Sequence, residues 1–231
     1  MITALALRNV TLGATLCLLS FSSLASVVVT GTRIIYPSDA KEISVKLDNK
    51  GKFPVLIQSW IDAGNVDAPP EKIQVPFVLT PPINRVEPSK GQTLRVSYTG
   101  GTQPTDKESV FWLNVLEIPA KHKDVNESQI QVAFRSRFKI FFRPVGLEGN
   151  ANEAIKSIQW SSVGKNIKAV NPTPYFVSLV ELKVNGKKVE GEMIAPKSSL
   201  NINLLGSTGS KISGSYVNDY GAVNDFEAIL K

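Results

Sequence analysis

The chain has 231 residues, with 26 lysines and arginines against 20 aspartates and glutamates, one cysteine and one histidine. The net charge of +6 is scattered, with no basic run and no alternation of basic and aromatic side chains, so no nucleic-acid partner is expected. Cys17 and His122 are the only thiol and imidazole, so a zinc site or a histidine-dependent triad lacks its parts. Neither a metal nor another cofactor is expected.

Residues 1–25 have the layout of a cleavable signal peptide. Arg8 precedes an apolar stretch, residues 10–19, and a small-x-small end at residues 23–25. Polar side chains interrupt the stretch, which argues against a membrane span; an uncleaved anchor remains the alternative. Cleavage after Ala25 removes Arg8 from the 26 basic residues, leaving 25 and a net charge of +5. It also removes Cys17, so an exported chain depends on packed cores and not on disulfides.

The next 120 or so residues repeat apolar positions with period two between turn residues, a pattern typical of short strands. Many short strands with frequent turn signals favour an immunoglobulin-like β-sandwich over a parallel sheet. The predicted strands are residues 27–35, 43–47, 53–61, 77–80, 93–98, 110–118 and 130–142.

The last of these segments, residues 130–142, is too long for an average strand and mixes basic with large apolar side chains. Pro144 and Gly146 then break the pattern, which predicts a domain boundary between 145 and 146. A second set of strands is predicted at residues 157–163, 167–170, 175–184, 187–190, 200–204, 213–218 and 226–230. The chain is therefore predicted to be all-β, with a leader at 1–25 and domains at 26–145 and 146–231.

Acid–base catalysis would need a pair of carboxylates in one cleft. Asp62 with Asp67, or Glu108 with Glu117, could form such a pair, but nothing in their spacing requires it. The glycine pairs lie between strands without a following helix, so they are interpreted as turns and not as phosphate sites. No enzymatic activity is expected, and a hydrolase is kept as a minor alternative.

Several short motifs, taken in order, resemble those of the PapD-like periplasmic pilus (fimbrial) chaperones over nearly the whole mature chain. The motifs are residues 80–82, 106–109 with Phe111, Asn114 and 118–119, then 137–144, 171–175 and 218–221. The resemblance implies two immunoglobulin-like domains arranged in an L, or boomerang, with a cleft that receives the C-terminus of a pilus subunit. It also implies a periplasmic location and delivery of the subunit to an outer-membrane usher. Strand donation by this family is one case of β-strand addition, in which an extended segment pairs with the exposed edge of a partner's sheet.

By the resemblance, Arg33 and Lys139 are the cationic anchors for the subunit's terminal carboxylate. An arginine fork and a compact lysine charge both form strong charge-assisted hydrogen bonds with a carboxylate. Ordinary surface ion pairs are the alternative role for these two residues.

Ile130, Val132 and Phe134 match the donor strand, whose apolar side chains fill a groove where the subunit lacks a strand. Strict alternation places Lys139 on the opposite face from Ile130, and the sequence leaves open whether a bulge redirects it. Phe134 is bulkier than the aliphatic residue expected there. An uncovered apolar edge also favours a self-capping dimer of the free chaperone, which the sequence leaves open.

Arg95, Arg143, Asp219 and Glu108 match an ionic cluster that bridges the two domains, with exposed ion pairs as the alternative. The short segment between Pro119 and Ile130, without a cysteine pair, resembles the branch of the family with a short F1-G1 loop. A carbohydrate-binding or adhesin module is the main competing function, since Trp60, Trp112 and Trp160 could stack on sugars; their strand positions favour burial instead.

Overall fold

The computed structural model describes residues 26–120, 131–164 and 166–231. Predictions on the leader, His122 and Ile130 fall outside these residues. The described residues form two β-sandwich domains with short turns of 3₁₀ helix. None of the helices in these ranges is long and apolar enough to cross a membrane.

The N-terminal domain packs a four-stranded sheet on a five-stranded sheet. In chain order the strands are β1 Val27–Val29, β2 Arg33–Pro37, β3 Ile43–Asn49, β4 Val55–Asp62, β5 Phe77–Thr80, β6 Ile83–Val86, β7 Gly91–Tyr98, β8 Ser109–Pro119 and β9 Phe134–Arg143, with a 3₁₀ turn at Pro70–Lys72. The sheet orders are β1-β3-β7-β5 and β2-β9-β8-β4-β6.

The core of this domain lies between the two sheets because apolar residues alternate along each strand. Leu47, Ile57, Leu94, Leu113 and Ile140 are fully buried there. Their alternating neighbours point away from the core, and on the five-stranded sheet that outer face carries the charged side chains described below.

The predicted first strand, residues 27–35, is two strands in different sheets. β1 pairs with β3, whereas β2 pairs in parallel with β9. Gly31, with φ of 88°, lies at the crossover, where a residue without Cβ turns most easily. β6, which follows the cis Thr80–Pro81 bond, was also missed by the sequence pattern.

The C-terminal domain repeats the two-sheet plan. Its strands are β10 Gln159–Val163, β11 Asn166–Asn171, β12 Val177–Val184, β13 Lys187–Glu190, β14 Met193–Ile194, β15 Ser198–Ile202, β16 Lys211–Val217 and β17 Val223–Ile229, preceded by a 3₁₀ helix at Ala151–Ser157. The sheet orders are β10-β11-β15 and β13-β12-β16-β17, with β14 also pairing with β12. A two-residue hairpin turn at Asn185-Gly186 joins β12 to β13, with positive φ at both residues.

Each domain has its own hydrophobic core. Phe142 is the last buried residue of the first core, and Leu147 is the first apolar residue that packs on the second. The boundary predicted between residues 145 and 146 falls between them.

Candidate functional site

Two cationic side chains lie next to each other at the end of the N-terminal domain. β2 pairs with β9 so that Arg33 is in register with Lys139, and both side chains are half-buried. Their strand neighbours Ile34 and Ile140 enter the core. Alternation therefore directs both cations to the outer face of the sheet.

Arg33 spans the two domains. Its Nη1 donates to the Val217 carbonyl oxygen of the C-terminal domain at 2.8 Å, and its guanidinium carbon lies 5.6 Å from the centre of the Phe141 ring. Phe141 in turn lies 5.7 Å from the ring of Phe176, measured between ring centres. The cations are therefore at the junction of the domains.

Burial lowers the pKa of Lys139, and the positive charge of Arg33 lowers it further. Burial also lowers the pKa of Arg33, although Asp219 and Glu108 partly oppose this. No carboxylate among the described residues pairs with Lys139. A partly desolvated pair of like charges is a site that binding of an anion would stabilise.

The strand that carries Lys139 extends past its neighbour on one side. β8 pairs with β9 from Phe134 to Phe142, but β2 pairs with β9 only from Lys139 onward. Residues 134–138 of β9 therefore have no strand partner on that side among the described residues. Such an edge can accept the backbone of another strand.

Val132 and Phe134 are 51% and 57% exposed. Alternation places them on the same face as Ile140 and Phe142, which are buried in the core. The third donor residue, Ile130, lies outside the described residues. An apolar row thus runs from the core out along the open edge.

The orientation of Lys139 follows from the register. β8 and β9 pair without a shift from Ser109 opposite Phe142 to Glu117 opposite Phe134. No bulge interrupts this segment, so Lys139 lies on the face opposite to Phe134, as strict alternation predicts.

Arg143 links the domains through two carboxylates. Its Nε donates to Glu108 at 2.6 Å, and Nη1 and Nη2 donate to the two Asp219 oxygens at 2.8 and 3.0 Å. Its guanidinium carbon also lies 5.3 Å from the centre of the Tyr175 ring. The second Glu108 oxygen accepts from the Phe176 backbone N–H at 2.8 Å.

The charges in this cluster depend on one another. Burial raises the pKa of Glu108, and the positive charge of Arg143 opposes that rise. Burial alone would lower the pKa of Arg143, but its hydrogen bonds and attraction to Asp219 and Glu108 outweigh burial and raise it. Glu108 therefore depends on Arg143 to stay ionised inside the protein.

The structure does not bring Arg95 into this cluster, contrary to the expectation from the resemblance. Arg95 lies on β7 in the four-stranded sheet, opposite Ser44 and Thr80, and its side chain is exposed. Its neighbours Leu94 and Val96 point into the core, so alternation directs Arg95 to solvent on the far side of the domain.

A buried polar network that the sequence pattern did not predict lies on the outer face of the five-stranded sheet. Arg137 Nη2 donates to both Asp62 oxygens at 2.7 and 2.9 Å, and its guanidinium carbon lies 5.4 Å from the centre of the Trp112 ring. Asn114 Nδ2 and the Gly64 N–H complete the contacts of Asp62, at 2.7 and 2.6 Å. The sequence carried only a partial signal, because the alternation of Arg137 with the core residues of its strand places it on the outer face without indicating a partner.

The carboxylates considered for acid–base chemistry lie apart. Asp62 is occupied by the network above, whereas Asp67 follows in an exposed turn. Glu108 and Glu117 lie at opposite ends of β8, and Glu117 accepts from Ser26 Oγ and the Val27 N–H. Neither pair forms a shared site.

Two family models match this chain. The model "Pili and flagellar-assembly chaperone, PapD N-terminal domain" covers residues 26–148, and "Pili assembly chaperone PapD, C-terminal domain" covers residues 153–228. The chain belongs to the PapD family of pilus-assembly chaperones. It is a chaperone of pilus assembly, and its family is not a class of enzymes.

The relatives agree with this assignment. The chain is 45% identical over 224 residues to the probable fimbrial chaperone YadV of Escherichia coli K12, covering 92% of this chain and 90% of YadV. The SafB chaperone of Salmonella enterica, solved with the SafA pilin, is 28% identical with a TM-score of 0.79, covering 90% and 98% of the two chains. The periplasmic chaperone SfaE is 32% identical with a TM-score of 0.74, covering 88% and 98%.

Two of the three tryptophans considered for sugar binding, Trp160 and Trp112, are covered by neighbouring residues. Trp160 is 3% exposed and stacks on Phe226, with 5.5 Å between ring centres. Trp112 is covered by Arg137 and by the close approach of Gly64.

Proposed function

We propose that this PapD-family chaperone holds a pilus subunit by adding β9 to the subunit's incomplete sheet. Val132 and Phe134, with Ile130, enter the subunit's groove, while Arg33 and Lys139 bind the carboxylate at the subunit's C-terminus. The observation that carries the proposal is the juxtaposition of an apolar strand edge with a half-buried cation pair. Among the described residues, this edge has no strand partner and Lys139 has no carboxylate partner.

The two halves of the site have different effects. Burying one large apolar side chain contributes about 1.5–3 kcal/mol, so the donor row supplies most of the affinity. The cations fix the position of the subunit's C-terminus along β9, because charge-assisted hydrogen bonds to a carboxylate are short and directional. Arg143, Glu108 and Asp219 hold the second domain against the first and so keep both cations at the cleft.

The cellular context belongs to the same proposal. The chaperone is exported by a cleavable leader ending at Ala25, acts in the periplasm and delivers the subunit to an outer-membrane usher. The free protein covers its apolar edge by pairing with a second copy. Membership of the branch with a short F1-G1 loop is part of the proposal, supported by the short segment between Pro119 and Ile130. The periplasmic relative SfaE supports the location, and the SafB–SafA complex supports a pilin as the partner.

The test is co-purification from periplasm of the tagged wild type beside Arg33→Ala and Lys139→Ala, with mass spectrometry of bound proteins. Lys187→Ala, an exposed lysine on β13, is the matched control. We expect a pilin-like subunit with the wild type and the control, and none with the two cleft variants. A folded cleft variant that holds the subunit as the wild type does would refute the anchoring role.

A further inference from the structure

One face of β9 carries four basic side chains at alternating positions, Arg135, Arg137, Lys139 and Arg143. All four share the face opposite to the core. A carboxylate that approaches this face therefore meets Arg135, Arg137 and Lys139 at every second residue, about 6.6–6.8 Å apart along the strand, while Arg143 lies four residues beyond Lys139.

The apolar donor row does not by itself determine which of these cations meets the subunit's terminal carboxylate. A slip of one residue would turn the row away from the groove, but a slip of two residues keeps every donor side chain on the same face. Two-residue slips must be prevented by something other than the pleat. The charges on the outer face of β9 differ from one such position to the next and can therefore discriminate between these registers.

The cations on either side of Lys139 have carboxylate partners. Arg143 binds Glu108 and Asp219, as described above. Arg137, with a side chain 23% exposed, binds Asp62, whose side chain is 3% exposed. A carboxylate at Arg137 would meet the negative charge of Asp62 at close range in a partly desolvated place, where repulsion is weakly screened.

The remaining cation of the row, Arg135, is exposed and donates to the Val66 carbonyl oxygen at 3.0 Å. Solvent screens an exposed charge, so it contributes little to binding an anion. Lys139 is half-buried, and its charged neighbour is the like charge of Arg33. Among the described residues, Lys139 is thus the desolvated cation of the row that lacks a carboxylate.

We propose that Asp62 determines the register of subunit binding by neutralising Arg137, so that Arg33 and Lys139 are the one place where the subunit's terminal carboxylate is stabilised. This inference rests on the proposed function and adds a specificity-determining residue to it. Asp62 acts through Arg137 and does not touch the subunit. Without its charge, Arg137 becomes a second half-buried anchor, two residues from the first.

Asp62→Asn removes the charge with little change in shape. The new amide oxygen can still accept from the Gly64 N–H. The Asn114 Oδ1 atom, which is buried without a hydrogen-bond partner among the described residues, can accept from the new amide nitrogen once the Asn114 amide rotates. Circular dichroism checks that the variant is folded.

The register of the bound subunit along β9 is measured by photo-crosslinking. Each protein also carries Ala133→Cys with a benzophenone attached to the cysteine. The probe is the subunit that co-purifies with the wild type, and mass spectrometry identifies the subunit residue that is labelled. The parent and the control Asp225→Asn, which removes an exposed charge on β17, label one position. Asp62→Asn adds a second position displaced by two residues. A folded Asp62→Asn protein that labels the parent position alone overturns the inference.

Lys139→Met supplies a test that does not depend on Asp62→Asn folding. With Asp62 in place, Lys139→Met loses the subunit; the double variant Lys139→Met, Asp62→Asn regains it at the displaced position. Capture at the displaced position by Lys139→Met alone would also overturn the inference. Absence of a subunit from the wild type would instead refute the proposed function.

Discussion

Lys139 keeps a charge where burial and the neighbouring Arg33 both oppose it. These two effects lower its pKa from 10.5 in the folded protein. A group whose charged form is disfavoured by folding reduces stability at neutral pH. The charge of Lys139 therefore opposes the stability of the free chaperone, as the proposed role in binding a carboxylate would require.

Lys139→Met is predicted to stabilise the free protein while it loses subunit capture. The gain in Tm is about 2–4 °C for each kcal/mol recovered in a chain of this size. Calorimetry of the purified protein measures this effect, and a Tm below that of the wild type would contradict it.

The lowered pKa of Lys139 determines how its effect on the stability of the folded protein changes with pH. Between the lowered folded pKa and 10.5, the unfolded wild-type chain binds more protons at residue 139 than the folded chain, so wild-type stability rises with pH there. The advantage of Lys139→Met over the wild type should therefore shrink as pH rises through this window.

Arg143→Met is predicted to be strongly destabilising at neutral pH. It leaves the Glu108 carboxylate, 1% exposed, buried without its cation. Removing one partner of a buried ion pair costs about 3–5 kcal/mol. Urea unfolding of the purified variant measures the loss, and Glu108→Gln in the same chain should recover part of it.

The loss in Arg143→Met should also depend on pH. The folded pKa of Glu108, already raised by burial, rises further without Arg143. Stability associated with protonated Glu108 is present below its unfolded pKa, near 4.5, and is lost as pH rises through the folded pKa. If the loss of unfolding free energy in Arg143→Met does not grow from acid to neutral pH, this explanation is wrong.

At the scale of the element, β9 joins two environments in one strand. Its C-terminal half lies between β2 and β8 with Ile140 and Phe142 in the core. Its N-terminal half pairs, within the described part of the chain, with β8 alone and exposes Phe134. The same alternating pattern therefore builds a core at one end and an apolar edge at the other.

Phe134→Thr separates these two roles. Because Phe134 is 57% exposed, the substitution should change the unfolding free energy of the free chaperone by no more than about 0.5 kcal/mol. Loss of about 1.5–3 kcal/mol of burial in the subunit's groove should weaken capture by about tenfold to a hundredfold. Ala133→Thr, on the other face of the strand, is the control. A competition assay in which both variants weaken subunit capture equally would contradict the prediction that Phe134, and not Ala133, enters the subunit's groove.

At the scale of the whole molecule, the two domains meet closely at Gly221 as well as at the ionic cluster. A Cβ atom on Gly221 would lie 2.4 Å from Thr32 Oγ1, and Gly221 has φ of 82°. Both facts favour glycine at this contact between the turn after β16 and the crossover between β1 and β2.

Gly221→Ala is predicted to loosen the domain interface. The left-handed conformation alone costs alanine about 1–2 kcal/mol, and the contact with Thr32 adds to this. We expect a lower Tm and a split calorimetric transition as the domains unfold separately. Thr32→Ala in the same chain removes the close oxygen and should restore part of the Tm. A single unchanged transition in Gly221→Ala would show that the contact is not needed.

Much of the fold could be predicted because alternation is a local property. The period of two located most strands of both domains. It left the face of Lys139 open, because a bulge could have redirected the side chain, and the unshifted register of β8 and β9 excludes one from Phe134 to Phe142. It could not separate β1 from β2, because the pattern of residues 27–35 continues through the crossover while the chain changes sheets at Gly31. The four-residue β6 was missed because a strand so short carries little periodicity of its own.

The site was predicted in part. The roles of five residues came from the family resemblance, and the structure brings these residues to one junction: Arg33, Lys139, Glu108, Arg143 and Asp219. Arg95 carried a motif match too, yet it lies on the other sheet. Asp62 was considered only as a catalytic acid, since nothing local to residue 62 indicates that Arg137, 75 positions away, is its partner.

The sequence by itself determined the all-β class, the two domains and the alternation that sorts side chains into core and outer faces. These follow from the order of residues along each strand. Tertiary structure alone decided which cations of β9 are neutralised, because each partner comes from a distant strand or from the second domain. Charge compensation depends on distance in space and on burial, and the linear order of residues specifies neither.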